Sequence, residues 1–276
     1  MSYKRILTIQ DISCVGQCSL TAALPILSAC GMETCIMPSA VLSTHSVGFD
    51  GYTFRDLTED MPKIQAHWQK EGIVFDAIYT GYLGNIRQIE YIKQIFSTMG
   101  RPNCIRFVDP VMADGGKLYP GLDEAYVEAM KGLCSTADVI LPNITEACLL
   151  TGAEYRETYD RAYVEKMAKS LSGLGPKTVI ITGVGFTAEK TGVFVYEDSK
   201  ADYYEHDRIE TVCHGTGDVF ASSFVGAAMK GVPTVEAAKL AADFTLQSVI
   251  NTQGDEGHWY GVKFETALKE LILRLP

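Results

Sequence analysis

Nothing in this chain offers a disulfide framework or a zinc site. Its eight cysteines, Cys14, Cys18, Cys30, Cys35, Cys104, Cys134, Cys148 and Cys213, include no C-x-x-C pair, and several lie inside apolar runs. They read as reduced, mostly buried thiols of a cytosolic protein. An excess of positive charge is also missing. With 24 basic against 34 acidic residues the net charge is −10, which argues against nucleic acid as the main partner. No apolar run is long enough to span a bilayer, and the N-terminus passes straight into Lys4-Arg5-Ile6-Leu7-Thr8-Ile9, a strand rather than a signal peptide. A cytoplasmic protein with no membrane partner is expected. The five histidines, His45, His67, His206, His214 and His258, show no metal spacing. Linkers, low-complexity stretches and internal repeats are absent, so residues 1–276 are expected to form one domain.

What is present is alternation. Short apolar runs at Arg5–Ile9, Thr34–Pro38, Ala77–Thr80, Ile105–Val108, Val139–Leu141 and Thr178–Thr182 are separated by helix-period stretches. These helices are Ser19–Cys30, Met61–Glu71, Ile86–Met99, Asp123–Cys134, Ile144–Thr151 and Asp160–Leu171. Near-continuous apolar strands alternating with helices predict an α/β fold of three layers, α/β/α, around a mainly parallel sheet covered on both faces. After Thr182 the pattern changes to a hairpin, Gly192–Tyr196 with Ala201–Glu205, and then to helices at Thr216–Lys230, Thr234–Asn251 and Lys263–Arg274.

Ligands of open α/β sheets gather beyond the carboxyl ends of the strands. Polar or glycine-bearing stretches stand at those ends: Gln10-Asp11-Ile12-Ser13, Thr80-Gly81-Tyr82-Leu83-Gly84, Asp109 to Asp114, Pro142 to Glu146, and Thr182-Gly183-Val184-Gly185. The last runs on as G-x-G-x-x-A, but a strand follows where a dinucleotide fingerprint needs a helix. The stretch His214-Gly215-Thr216-Gly217-Asp218-Val219 is the most telling. It follows a polar, β-leaning segment (Ala201 to Val212) and opens a run of small and apolar residues. As a loop entering a helix, it leaves the amides around Gly215, Thr216 and Gly217 free to approach an anion at the positive end of the helix dipole. Asp218, in the first turn, can take a proton from a hydroxyl while those amides hold a phosphoryl group. A plainer reading makes Asp218 a favourable N-terminal helix charge and the glycines a turn.

Four motifs occur together in one order. Gly215-Thr216-Gly217-Asp218 resembles the anion-hole and base signature of the ribokinase-like kinases. Asp109-Pro110-Val111-Met112-Ala113-Asp114, continuing to Tyr119, resembles the D-P-V-M-G-D…Y stretch of pyridoxal kinases. Pro142-Asn143-Ile144-Thr145-Glu146-Ala147 is similar to their T-P-N-x-x-E-A segment, and Thr80 to Gly84 to their G-Y-L-G turn. The resemblance runs from Ile6 to about Gly231.

It implies ATP-dependent phosphorylation of the 5′-hydroxymethyl group of a B6 vitamer. Asp218 would be the base and the Gly215, Thr216 and Gly217 amides the anion hole. Asn143 and Glu146 would hold Mg²⁺, largely through water. On the residues alone, that pair reads first as a helix capping box. Asp109, Tyr119, Thr182 and Gly183 would face the nucleotide, and Asp11, His45, Ser46 and Tyr82 the vitamer. The adenine pocket would draw on the hairpin after Thr182 and on the region from Asn251 to Gly257. A homodimer is also implied, while any need for a monovalent cation such as K⁺ is left open.

Two positions depart from the family pattern: Asp11 stands where many pyridoxal kinases have Ser, and Ser46 where they have Thr. An ionised Asp11 would favour a pyridinium nitrogen or an amine, and hence pyridoxamine or pyridoxine. Local capping of backbone amides is the competing role for Asp11. Hydroxymethylpyrimidine kinase is the nearest rival; its motif often has Cys at the position of Asp218. A sugar kinase lacks support without an early Gly-Gly pair. A non-catalytic nucleotide or vitamer binder could dispense with Asp218, Asn143 or Glu146, and all three are present.

Overall fold

A computed structural model describes residues 3–210 and 213–276. Thr211 and Val212, the end of the segment expected before the glycine loop, lie outside the described residues.

The strands form as the apolar runs dictate. β1 (Arg5–Ser13), β2 (Glu33–Leu42), β4 (Phe75–Thr80), β5 (Gly100–Val108), β8 (Val139–Ile140) and β9 (Thr178–Val184) make a parallel core. The short edge strand β3 (Phe54–Asp56) pairs antiparallel with β2, and the hairpin β10 (Lys190–Glu197) and β11 (Lys200–Asp207) closes the other side. The nine-stranded order is β11-β10-β9-β8-β5-β4-β1-β2-β3. A separate two-stranded ribbon, β6 (Ala113–Asp114) with β7 (Lys117–Leu118), stands outside it.

Alternation along β1 divides the core. Leu7 and Ile9 pack on one face and Ile6 on the other, all with no exposed surface. Against the first face lie α2 (Met61–Lys70), α3 (Ile86–Thr98), α4 (Glu124–Cys134), α5 (Ile144–Thr151) and α6 (Arg161–Ser172). The second is covered by α1 (Leu20–Ala29), α7 (Thr216–Met229), α8 (Thr234–Thr252) and α9 (Leu268–Arg274). This is the expected three-layer α/β/α arrangement, and α5 has the predicted limits. Differences fall at the edges. β3, β6 and β7 are short polar pairs with no period to read, and the helix expected over Lys263–Arg274 begins as 3₁₀ at Phe264–Ala267. Of the cysteines, three are buried, four half-buried and Cys14 exposed, fewer inside than the sequence suggested. No helix among the described residues is long and apolar enough to cross a membrane.

Two features position the site. Sequence order reverses between β1 and β4, which makes a crevice at their carboxyl ends. In addition, the β1–β2 register shifts between Gln10 and Ile12, so Asp11 has no cross-strand partner.

Candidate active site

The loop into α7 takes the shape its glycines require. Gly215 has φ +78°, and a Cβ there would stand 2.1 Å from the Gln17 carbonyl oxygen. Gly217 has open space beside it. The first amides of α7 have no partner inside the helix and present donors to that space. Asp218 sits in this turn, half-buried, with part of its surface open to the crevice. Burial pushes its pKa up to about 7; the Ser19 amide opposes the rise and the Asp11 charge adds to it. Ser19 itself is held at φ 51°, a left-handed conformation rare for serine, at the mouth of α1. Cys18 completes this wall. Its thiol is pushed up by burial and by the Asp218 and Asp11 charges, so it stays protonated. No sequence pattern had given Cys18 or Ser19 a role.

On one side of Asp218 the strand-end turns converge. Asn143 is the N-cap of α5: its side chain accepts from the Glu146 amide at 2.9 Å and donates to the Ala113 carbonyl at 2.8 Å. Glu146 returns the bond to the Asn143 amide at 2.9 Å and accepts from the Met112 amide at 3.0 Å and, more weakly, from Ala113 at 3.4 Å. The capping box is therefore formed, and it also pins the stretch before β6. The Asn143 oxygen accepts one bond and keeps a second lone pair. Glu146 keeps lone pairs on a buried carboxyl whose pKa burial raises and the three amides oppose. Asp109 is 6% exposed and its pKa is raised by burial, by Glu146 and by Asp218. Two buried carboxyls, Asp109 raised by burial and by Glu146, and Glu146 by burial and by Asp114, form a site that a cation would relieve. Among the described residues no three His, Cys, Asp or Glu groups converge as a metal cluster. The Asn143 and Glu146 oxygens and the nearby Asp109 carboxyl fit Mg²⁺ with water and phosphate completing its shell.

Tyr119 is half-buried, and burial together with the Glu146, Asp114, Asp109 and Asp218 charges raises its pKa. Thr182 donates its amide to the Pro142 carbonyl at 2.9 Å, which brings Gly183 beside the Asn143 turn.

On the other side lie Asp11, His45, Ser46 and Tyr82. Asp11 is 4% exposed, and burial raises its pKa against hydrogen bonds from Ser19 and Ser13, the latter at 3.1 Å. Tyr82 is half-buried next to Asp11. His45 behaves differently from expectation. Its Nδ1 accepts from the Val47 amide at 3.2 Å, which leaves Nε2 to donate to the Tyr260 carbonyl at 2.6 Å. Both ring nitrogens are engaged within the protein, so His45 shapes its loop. Ser46 is exposed on that loop. His214 reaches the same wall, its ring centroid 5.4 Å from that of His45. The Tyr260 contact could not be read from sequence, since 215 residues separate the partners.

A cavity of about 780 Å³ opens at the opposite end of the sheet, among Arg101, Arg106, Asp138, Lys177 and Glu197. It exists because β8 has only two residues and leaves the start of β5 uncovered. Arg106 and Asp138 close on each other at 2.9 Å and Glu197 takes the Thr178 and Thr234 hydroxyls, so its central charges are already paired. It shares no residue with the crevice at Asp218.

A carboxyl beside the open mouth of a glycine-led helix, on this three-layer sheet, is an arrangement suited to phosphoryl transfer, and the chain's relatives place it among the ribokinase-like kinases. More closely, the chain belongs to the phosphomethylpyrimidine kinase family, whose profile matches residues 16–262. It is 29% identical over 262 residues to the hydroxymethylpyrimidine/phosphomethylpyrimidine kinase of Bacillus subtilis, covering 94% of each chain. A Bacteroides thetaiotaomicron structure described as a candidate phosphomethylpyrimidine kinase, crystallised with pyridoxal, superposes with a TM-score of 0.92 at 37% identity, over 98% of this chain and 96% of that one. Pyridoxal kinase from Lactobacillus plantarum superposes at 0.91 with 32% identity, over 99% and 98%. The protein is thus a kinase of the joint pyridoxal and hydroxymethylpyrimidine kinase family, a group that uses ATP.

Proposed function

We propose that this kinase transfers the γ-phosphoryl group of ATP to the 5′-hydroxymethyl group of pyridoxal, pyridoxine or pyridoxamine. The observation that carries the reading is Asp218, a carboxyl with a pKa near 7 at the open mouth of α7. A base poised there is half ionised near neutrality and can accept the hydroxyl proton. The freed oxygen attacks the γ-phosphorus, the bond to the bridging oxygen breaks, and ADP leaves with that electron pair. Amides of Gly215, Thr216 and Gly217 hold the charge on the moving group. Asp109, Tyr119, Thr182 and Gly183 line the nucleotide end. Mg²⁺ at Asn143 and Glu146, largely through water, would neutralise phosphate charge, with Asp109 adding charge beside it. Asp11, Ser46 and Tyr82 receive the vitamer, with His45 as the scaffold of that wall. A homodimer in the cytoplasm completes the reading.

Support for a B6 acceptor comes from Asp218 where hydroxymethylpyrimidine kinases often have Cys, and from the relative crystallised with pyridoxal. The family profile and the Bacillus subtilis relative favour the second reading, hydroxymethylpyrimidine as acceptor. ADP release with ATP, Mg²⁺ and each of the four acceptors decides between them. A vitamer should give the highest kcat/KM, and hydroxymethylpyrimidine ahead of all three would sink the first reading.

A further inference from the structure

The segment after α8 folds back as a finger. Its neck is closed by the Lys263–Asp255 ion pair and by the Lys263 amide on the Thr252 hydroxyl at 2.9 Å. A 3₁₀ turn at Glu256–His258 lifts its tip, Trp259-Tyr260-Gly261, toward the loop after β2. Three contacts join finger to loop. The Tyr260 carbonyl takes the His45 Nε2 hydrogen at 2.6 Å. Trp259 packs on Phe49 with ring centroids 4.7 Å apart. Beneath the indole, Gly48 has φ +78°, and a Cβ there would lie 2.6 Å from the Trp259 ring. The loop is tied at its start by the His45 amide on the Val15 carbonyl at 3.2 Å, but beyond it Ser46, Val47 and Gly48 are exposed, and Trp259 itself is 43% exposed.

A loop that must order when a ligand arrives takes that entropy from the binding free energy. One already seated on an anchor does not. His45, at the start of the seated loop, packs against Gly16 and His214 on the acceptor side of Asp218, the side on which the Trp259 ring bears.

We propose that Trp259 is a positioning residue for the acceptor, holding the His45–Phe49 loop in its receptive shape from the tip of the finger. The proposal rests on the kinase reading above. An aromatic pair contributes about 0.5–1.5 kcal/mol beyond its burial, which corresponds to roughly 2- to 12-fold in affinity.

The test uses the full chain with ATP and the acceptor that the panel ranks first. Trp259→Ala should raise the acceptor KM about 5- to 10-fold while the ATP KM and kcat stay within about twofold, and Trp259→Phe should recover most of the loss. In a Trp68→Phe background Trp259 is the sole indole. Its emission should shift on adding pyridoxal alone. An acceptor KM unchanged within twofold, both KM values rising in parallel, or a silent indole at saturating pyridoxal overturns the proposal. If no acceptor in the panel is phosphorylated by the wild type, the kinase reading fails by itself, and the indole response to pyridoxal still decides the role of Trp259.

Discussion

The two ends of the crevice are built by different means. At the β8–β9 end the turns are short and tied by local backbone bonds: Asn143 and Glu146 cap each other three residues apart, and Glu146 reaches across to Met112 and Ala113. At the β1–β2 end the wall is a long loop tied by side chains to the other end of the chain, as His45 is to Tyr260. One end is rigid because its polar groups have no alternative partner. The other is shaped by packing that a single ring can release. For a kinase that division is useful: the donor is common to the whole class, while the acceptor changes from enzyme to enzyme.

The sharpest break should come where the ends meet. Asp218→Ala is expected to lower kcat by a factor of about 10³ or more while pyridoxal binding, measured by fluorescence titration, changes little. Substantial residual turnover would move the base elsewhere. At the rigid end, Glu146→Ala leaves three amides without an acceptor, at a cost on the order of 3 kcal/mol, and should lower Tm by several degrees as well as raise the ATP KM. A lower ATP affinity with unchanged Tm would mean that the carboxylate serves the nucleotide alone.

A third prediction is a pH profile. Because the Asp218 pKa is raised from 3.8 to about 7, kcat/KM should fall as pH drops below about 7. The stability effect has the opposite sense. Ionising Asp218 costs more in the folded state than in the unfolded one, so the cost is absent below about pH 4 and grows up to about pH 7. Asp218→Asn should accordingly raise Tm at pH 8 and leave it unchanged at pH 4. The smallest effect belongs to the adaptable end. Asp11→Ser should shift the ratio of kcat/KM values among the three vitamers by a few-fold, away from pyridoxamine and pyridoxine. An unchanged ratio leaves Asp11 as the partner of Ser13 and Ser19 and nothing more.

This contrast also explains what sequence could tell. Among the described residues, period and apolar runs located β1, β4, β9 and the α-helices α1 to α8 to within a few residues, and β5 and α9 at their far ends, because burial on one face dictates those patterns. The turns at Asn143 and Gly215 were legible too, since caps and glycine conformations are set by neighbours in the chain. Hidden were the relations made in three dimensions: Cys18 between two carboxyls, both nitrogens of His45 occupied, Trp259 over Gly48. The capping role of Asn143, the first reading of its residues, is the one its hydrogen bonds display. The region from Asn251 to Gly257, expected to help form the adenine pocket, leads directly into the finger that meets the opposite loop.

The close fit of Gly215 over the Gln17 carbonyl has a consequence for how this enzyme can vary. The loop proposed to cradle the phosphoryl group is wedged on the strand-exit segment whose next residues, Cys18 and Ser19, border the proposed base Asp218, so the two are built as one casting. An insertion or deletion anywhere from Cys14 to Ser19 would displace both halves of the reaction centre together. In the loop that meets Trp259, the exposed positions from Ser46 to Gly48 lie beyond His45, the residue that packs on this casting through Gly16 and His214.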